Sequence, residues 1–335
     1  RALQWLIENR DRRGLSLISQ GDWCDPMNMV GVDGKGVSSW LSLATAYACE
    51  IWADLGEDER FKVTAEEIRV AVNQYLWDGR WFARGITDAG RLFGVSAEPE
   101  GSIYLNPQSW AILAGAVSQE QIHYLLQSVA DHLETKDGVM MLAPPYTRFQ
   151  DDIGRLTQKS PGVAENGAVY NHAAVFWILS LFQAGEPDRA YELIQKMIPG
   201  PKDDAYQRQG QLPVFIPNYY RGFWQDSPDT AGRSSQLVNT GTVAWLYRCL
   251  TENLFGLRGC KEGLKLDPRL PERWPSVTLT RRFRGATFEV SMNRDAAAQK
   301  ATFILDGQGL ERPLVSDIES GRRYRLEISL PGKAE

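Results

Sequence analysis

Apolar residues recur at helical spacing over most of the chain, from its first residue to about residue 262. After Ser39, for example, Trp40, Leu43 and Tyr47 follow one another at intervals of three or four residues, which places them on one face of an α-helix. The same spacing predicts helices over residues 39–54, 61–77, 108–116, 119–132, 171–183, 186–198 and 240–255. These helices do not repeat one another in sequence, which favours a toroid of helix pairs over a solenoid.

The pattern changes after residue 266, where short alternating or continuously apolar stretches replace the helical spacing. Such stretches predict β-strands, here at residues 277–280, 286–292, 300–305 and 324–330. Residues 266–335 are therefore expected to form a small β-domain packed on the helical part.

Four long loops separate the predicted helices, at residues 21–38, 79–106, 138–163 and 199–236. Loops longer than about 12–15 residues in a folded domain usually carry function. Several tryptophans lie in or beside these loops, namely Trp23, Trp77, Trp81 and Trp224. The loops are therefore the first place to look for a site.

The amino-acid composition argues against several classes of binding partner and cofactor. The chain has 335 residues with 37 basic and 42 acidic side chains, so it lacks the basic excess that nucleic acid or an anionic membrane requires. Its longest apolar run, residues 173–182, is about half of the ~20 residues that a membrane-spanning helix needs. Four cysteines without a C-x-x-C pair, and three histidines, predict neither a disulfide scaffold nor a metal site. We expect a cytoplasmic globular protein without metal or organic cofactor.

The first loop contains the sequence Gly21-Asp-Trp-Cys-Asp, in which two carboxylates flank a tryptophan. Glycosyl transfer needs a proton donor for the departing oxygen and an apolar face for the sugar ring. Trp23 could supply that face, and burial beside it would raise the pKa of an aspartic acid, which suits a general acid. The alternative is that Asp22 and Asp25 only close a turn and cap the next helix.

Two further motifs lie ahead of predicted helices. Residues 155–172 bring together two cations, a carboxylate and a histidine, in the order Arg155, Lys159, Glu165 and His172. The sequence Thr240-Gly-Thr offers hydroxyls and free backbone N–H groups at a helix start. Such groups commonly form a phosphate-binding site. Such a turn is also a common helix cap, so its spacing alone leaves both interpretations open.

Taken in order, these three motifs resemble glycoside hydrolase family 94, the inverting β-glucoside phosphorylases, and Arg282-Phe-Arg-Gly-Ala resembles a strand of that family's closing domain. The resemblance implies an N-terminal β-sandwich, a linker, an (α/α)6 barrel and a small C-terminal β-sandwich-like domain. Residues 1–265 would then be the later part of the barrel, and residues 266–335 the C-terminal β-domain. The β-sandwich and the first barrel helices would lie outside this chain.

The resemblance also implies roles for individual residues. Asp25 is similar to the family's general acid, Trp23 to a residue that lines the glucosyl subsite, and Glu165 to a carboxylate on the acceptor side. The implied phosphate site consists of His172, Thr240 and Gly241. The resemblance further implies a homodimer whose partners are a disaccharide and phosphate, and phosphate is a co-substrate rather than a cofactor.

Two departures from the commonest family pattern lie next to these residues, because Cys24 replaces an asparagine and Ala164 a frequent lysine. Both indicate an altered acceptor subsite. Arg155 and Lys159, four residues apart, could bind the carboxylate of an acidic acceptor. This arrangement is similar to family members that convert cellobionic acid and phosphate to α-glucose 1-phosphate and gluconic acid.

Alternatives remain at this point. Arg155 and Lys159 could instead pair with Asp151 and Asp152 in a surface loop. The substrate could be a neutral disaccharide such as cellobiose, laminaribiose or chitobiose. An inverting (α/α)6 hydrolase would need a second carboxylate about 6.5–9.5 Å from the acid, for which Glu165 is the candidate. A carbohydrate-binding module with an inactive site is a further class.

Overall fold

The computed structural model describes residues 1–56, 58–198, 216–235 and 241–332. The chain divides into two compact units. The first comprises Arg1–Ala184 and Glu192–Trp245, and the second comprises Gly185–Tyr191 and Leu246–Glu335. Helices dominate the first unit and β-strands the second, as the change of pattern in the sequence predicts.

Eight α-helices lie in the described ranges. They are α1 (Ala2–Glu8), α2 (Ser39–Gly56), α3 (Glu59–Leu76), α4 (Leu105–Leu113), α5 (Gln119–His132), α6 (Asn171–Gln183), α7 (Pro187–Met197) and α8 (Thr242–Arg248), which a π-helical turn (Cys249–Leu254) extends. Each helix predicted from apolar spacing is present, and the predicted start of the last one at residue 240 lies outside the described residues. No described helix is long and apolar enough to cross a membrane.

The core of the first unit forms where α2, α4 and α6 pack side by side. Helix α6 is apolar on nearly every side and is buried accordingly. At the centre Trp110 on α4 makes edge-to-face contacts with Trp40 on α2, Phe176 on α6 and Trp245 on α8. Aromatic pairs in this geometry stabilise beyond the area they bury, so these rings fix the spacing of four helices.

The long loops of the first unit contain two-residue strands that pair with one another. They are β1 (Val37–Ser38), β2 (Gly85–Ile86), β3 (Leu92–Phe93), β4 (Ile103–Tyr104), β5 (Glu134–Thr135), β6 (Gly138–Val139), β7 (Leu142–Ala143), β8 (Val169–Tyr170), β9 (Tyr219–Tyr220) and β10 (Ser234–Ser235). Their sheets have the orders β1-β2-β3, β4-β7, β5-β6 and β8-β9-β10. Strands β1, β4 and β8 directly precede α2, α4 and α6. The loop strands therefore hold the N-terminal ends of the three central helices.

The second unit contains two sheets. The strands are β11 (Leu257–Gly259), β12 (Leu264–Leu266), β13 (Ser276–Phe283), β14 (Ala286–Asp295), β15 (Thr302–Leu305), β16 (Gln308–Gly309), β17 (Leu314–Val315) and β18 (Arg323–Pro331), and the sheet orders are β11-β12-β17 and β13-β14-β18-β15-β16. Strands β14 and β18 run parallel. Alternate residues of both are buried, and Phe288 stacks on Tyr324. The four predicted strands are confirmed.

Candidate active site

The first acidic residue of the Gly21-Asp-Trp-Cys-Asp motif is buried in an ion pair. Both side chains of the Asp22–Arg84 pair are fully buried, and Arg84 Nη2 donates to the two carboxylate oxygens at 2.7 Å each. The Ser38 hydroxyl donates to the same carboxylate, and the Cys24 backbone N–H donates to Asp22 Oδ1 at 2.9 Å. The alternative of a turn-closing aspartate is therefore confirmed for Asp22.

The second acidic residue, Asp25, has different surroundings. It is exposed, and its carboxylate forms no hydrogen bond within the described part of the chain. Shielding of this carboxylate by Trp23 is expected from the motif, but Trp23 packs its ring against Tyr170 and His172, with centroids 5.3 and 5.4 Å away. Asp25 is thus an exposed carboxylate without a hydrogen-bond partner among the described residues, and the buried Asp22–Arg84 ion pair anchors the loop that carries it.

Trp23 joins this loop to the start of helix α6. Its indole Nε1–H donates to His172 Nδ1 at 3.1 Å, and its ring also meets Phe176 edge-on. Burial lowers the pKa of His172 to about 4, so its imidazole is neutral at pH 7. The structure therefore brings together two of the predicted site residues that lie 149 positions apart.

Gly241, at the start of α8, lies against the other side of the same histidine. A Cβ atom added to Gly241 would lie 2.3 Å from His172 Nε2, so this backbone approaches the imidazole more closely than any side chain permits. The neighbouring predicted residue, Thr240, lies outside the described residues.

If His172 and Gly241 bind phosphate, as the family resemblance implies, Gly241→Ala should raise KM for phosphate by up to about a hundredfold, because the added methyl group must displace the imidazole or the backbone. Gly309→Ala is the matched control, since a Cβ at that glycine meets no atom within 4 Å. Initial rates at varied phosphate measure the effect. An unchanged KM for phosphate in Gly241→Ala would show that this contact is not part of a phosphate site.

The acceptor-side candidates Lys159 and Glu165 form an ion pair with each other. Glu165 follows Ala164, whose φ of +50° lies in the left-handed region that side chains rarely adopt. The next residue, Asn166, is fully buried and donates to the Lys159 carbonyl at 2.7 Å and the Tyr146 carbonyl at 2.8 Å. Backbone strain held by such anchors is typical of functional sites, and here it fixes the direction of Glu165.

Arg155 lies on a segment that docks on the residues following Asp25. Its backbone N–H donates to Asn28 Oδ1 at 3.1 Å, and the N–H of Leu156 donates to the Pro26 carbonyl at 2.9 Å. The Arg155 side chain is exposed and has no ion pair within the described ranges. The backbone of Arg155 therefore lies beside the loop of the candidate acid, and its side chain is exposed.

The alternative partners of Arg155 and Lys159 are engaged elsewhere or unpaired. Asp152 binds Arg91 through two hydrogen bonds of 2.8 Å, which anchor the segment in place. Asp151 is exposed and forms no ion pair with a described residue. The interpretation of Arg155 and Lys159 as partners of these two aspartates is therefore wrong.

Among the residues that the structure describes, no group of three or more metal-ligating side chains is placed to hold an ion.

The chain belongs to the glycosyl hydrolase 94 superfamily. The model of that superfamily's catalytic domain matches residues 1–256, and the model of the glycosyl hydrolase family 65 C-terminal domain matches residues 257–308. Family membership predicted from the three motifs is thereby confirmed, and the second match agrees with the sheet-rich second unit.

Two relatives are phosphorylases of acidic glucosides by name. Cellobionic acid phosphorylase of Neurospora crassa is 53% identical over 99% of this chain and 43% of its own length. The 3-O-β-D-glucopyranosyl-β-D-glucuronide phosphorylase of Paenibacillus borealis is 34% identical over 98% of this chain and 43% of its own length. The chain thus spans less than half the length of these curated relatives.

Among solved structures, the family 78 rhamnosidase of Bacillus sp. GL1 is similar in fold. It superposes with a TM-score of 0.54 at 15% identity, over 87% of this chain and 28% of the rhamnosidase. At this identity the similarity concerns the fold alone.

Proposed function

We propose that this chain carries the general acid and part of the phosphate site of an inverting phosphorylase. Its reaction is cellobionic acid plus phosphate to α-glucose 1-phosphate plus gluconic acid. The observation that carries the proposal is the Trp23–His172 contact, which joins the loop of the exposed carboxylate Asp25 to a neutral histidine against Gly241. The 53% identity to a cellobionic acid phosphorylase supports the substrate.

One carboxylate is sufficient for this chemistry. An inverting hydrolase needs a second carboxylate to activate water, whereas phosphate is already an anionic nucleophile that has only to be positioned. In the proposed reaction a phosphate oxygen bonds to the anomeric carbon from the face opposite the leaving oxygen. The bond from that carbon to the gluconate oxygen breaks, and Asp25 gives its proton to the departing oxygen, so the β-glucoside becomes an α-phosphate.

The other residues surround this centre. Trp23 lines the glucosyl subsite and Glu165 contacts the acceptor, while the phosphate site comprises His172, Thr240 and Gly241. Because Asp25 is exposed here, we assign the shielding of its carboxyl group to the bound sugar rather than to a neighbouring side chain.

Arg155 and Lys159 would bind the acceptor carboxylate. Two observations support this: the Arg155 guanidinium is free within the described part of the chain, and both named relatives act on a glucoside that contains an acid sugar. Lys159 would share its charge between Glu165 and the acceptor. Positive charge on this segment then selects gluconate over glucose.

Replacing Arg155 by glutamine is expected to lower the preference for cellobionate over cellobiose about tenfold, the lower end of the range for a hydrogen bond to a charged group. Ratios of kcat/KM for the two substrates measure this preference, and Lys159→Gln should act in the same direction. Arg148→Gln is the matched control, because Arg148 is an exposed arginine nearby. Unaltered selectivity in the Arg155→Gln, Lys159→Gln double variant would contradict an acidic acceptor at this place.

We extend the proposal to the organisation of the protein. Residues 1–265 form the later part of an (α/α)6 barrel, and residues 266–335 form its C-terminal β-domain. The protein works in the cytoplasm as a homodimer, without metal or organic cofactor. The family resemblance supports these points.

The reaction is tested by incubating the protein with cellobionate or cellobiose, with and without orthophosphate, and quantifying glucose 1-phosphate and free glucose. We expect glucose 1-phosphate only with phosphate, and preferentially from cellobionate. Glucose 1-phosphate formed from cellobiose but not from cellobionate would support phosphorolysis and contradict gluconate as the acceptor. Release of free glucose irrespective of phosphate would make the protein a hydrolase.

A further inference from the structure

The hydrogen bond from Trp23 determines which ring nitrogen of His172 carries the proton. An indole N–H donates and cannot accept, so at 3.1 Å it requires His172 Nδ1 to be unprotonated. A neutral imidazole has one protonated nitrogen, and here that nitrogen is Nε2. Trp23 therefore selects one of the two tautomers.

The protonated edge of the ring is the edge next to Gly241. A Cβ on Gly241 would lie 2.3 Å from His172 Nε2 and 2.7 Å from Cε1. The Trp23 indole thus forms a hydrogen bond with Nδ1 of His172. The protonated Nε2 lies beside Gly241 at the start of α8.

Apolar surroundings keep the ring uncharged. Phe176 packs on the imidazole with centroids 4.8 Å apart, and burial lowers the pKa of His172 to about 4. Helices α4 and α6 contain no charged side chain, and the first charged residue of α8 is Arg248, which pairs with Glu252.

The acidic groups on the neighbouring loops leave the ring neutral as well. Asp22 is held by Arg84, Glu165 pairs with a lysine, and Asp25 is exposed. The Tyr170 phenol stays protonated, because burial raises its pKa to about 12.

We propose that Trp23 is a positioning residue that holds His172 as the neutral Nε2–H tautomer, so that the phosphate substrate receives its hydrogen bond from an uncharged donor. The inference rests on the proposed function, which places phosphate at this nitrogen. An imidazolium could pass its proton to the phosphate and weaken it as a nucleophile, whereas a neutral imidazole N–H is too weak an acid to do so. The donor positions the phosphate and leaves its negative charge available for attack.

Nitrogen-15 NMR of protein labelled at histidine measures the tautomer without any substrate. The His172 signals are assigned as those that disappear in His172→Asn. At pH 7 we expect a protonated Nε2 and an unprotonated Nδ1. In Trp23→Phe, which keeps an aromatic ring but loses the indole donor, we expect exchange between the two tautomers. An Nδ1–H tautomer or an imidazolium in the unaltered protein at pH 7 overturns the inference.

The second measurement is kinetic. We compare kcat/KM for phosphate in Trp23→Phe with the same constant in the unaltered protein and express the result as their ratio. We expect about a fivefold loss at pH 7.5, the size of one neutral hydrogen bond. The loss should grow towards pH 5.5, because the freed Nδ1 then accepts a proton nearer the ordinary histidine pKa of about 6.5, and the resulting imidazolium can pass its proton to the phosphate. The titration of phosphate itself cancels in this ratio.

Trp77→Phe is the control, since its ring meets Phe82 rather than a histidine; its ratio should not vary with pH. A Trp23→Phe ratio that stays constant with pH overturns the inference. If the unaltered protein forms no glucose 1-phosphate, the proposed function fails, and the NMR spectrum still decides the tautomer separately.

Discussion

Asp25→Asn is expected to lower kcat for phosphorolysis of cellobionate by about 10²–10⁴-fold, the usual contribution of a positioned general acid. The asparagine keeps the size of the side chain and removes its proton. Because Asp25 is exposed and forms no hydrogen bond within the described residues, the substitution breaks no contact of the fold. Initial rates of glucose 1-phosphate formation at saturating substrates measure the loss, and an unfolding curve should show no change in stability.

The dependence on the leaving group shows whether the loss comes from proton donation. β-Glucosyl fluoride needs little protonation to depart, so we expect Asp25→Asn to lose about tenfold or less on this donor. Asp33→Asn, at another exposed aspartate of the same loop, is the matched control and should be active on both donors. Near-full activity of Asp25→Asn on cellobionate, or an equal loss on both donors, would remove Asp25 from the role of acid.

Local patterns predicted the helices because the signals that start and end a helix lie within a few residues of each other. Helix α5 begins where expected, since Ser118 and Gln121 form a capping box, and it ends at His132 as predicted. Helix α4 begins at Leu105, three residues before the predicted start after Asn106-Pro107. Its first turn tolerates Pro107, and its start follows from the pairing of β4 with the distant β7, which no local pattern reveals.

The site was predictable as separate motifs and not as a geometry. Each motif is contiguous, but the Trp23–His172 contact joins residues 149 positions apart, and only the family resemblance placed them together. None of these motifs contains Arg84, which the structure places in the buried ion pair with Asp22. Its signal was a single charge inside the apolar run Trp81-Phe-Ala-Arg-Gly-Ile, since a charge in such a run is buried only with a partner.

Arg84→Met is expected to lower the free energy of unfolding by about 3–5 kcal/mol, because it leaves the buried Asp22 carboxylate without its cation. The methionine fills much of the same volume, so the lost charge rather than a cavity dominates the change. Denaturant unfolding measures the effect. The Asp58–Arg60 pair, with Arg60 87% exposed, is the control: Arg60→Met should leave the unfolding midpoint unchanged.

The double variant Asp22→Leu, Arg84→Met distinguishes two effects: the loss of the ion pair and the burial of an unpaired carboxylate. With both groups removed no unpaired charge is buried, so we expect it to be more stable than Arg84→Met alone. Its activity should nevertheless stay low, because Ser38 and the Cys24 N–H lose the carboxylate that fixes the loop of Trp23 and Asp25. Full activity in a stable double variant would contradict a role for Asp22 in positioning the acid. Low activity with recovered stability would mean that the buried ion pair holds the catalytic loop as well as the fold.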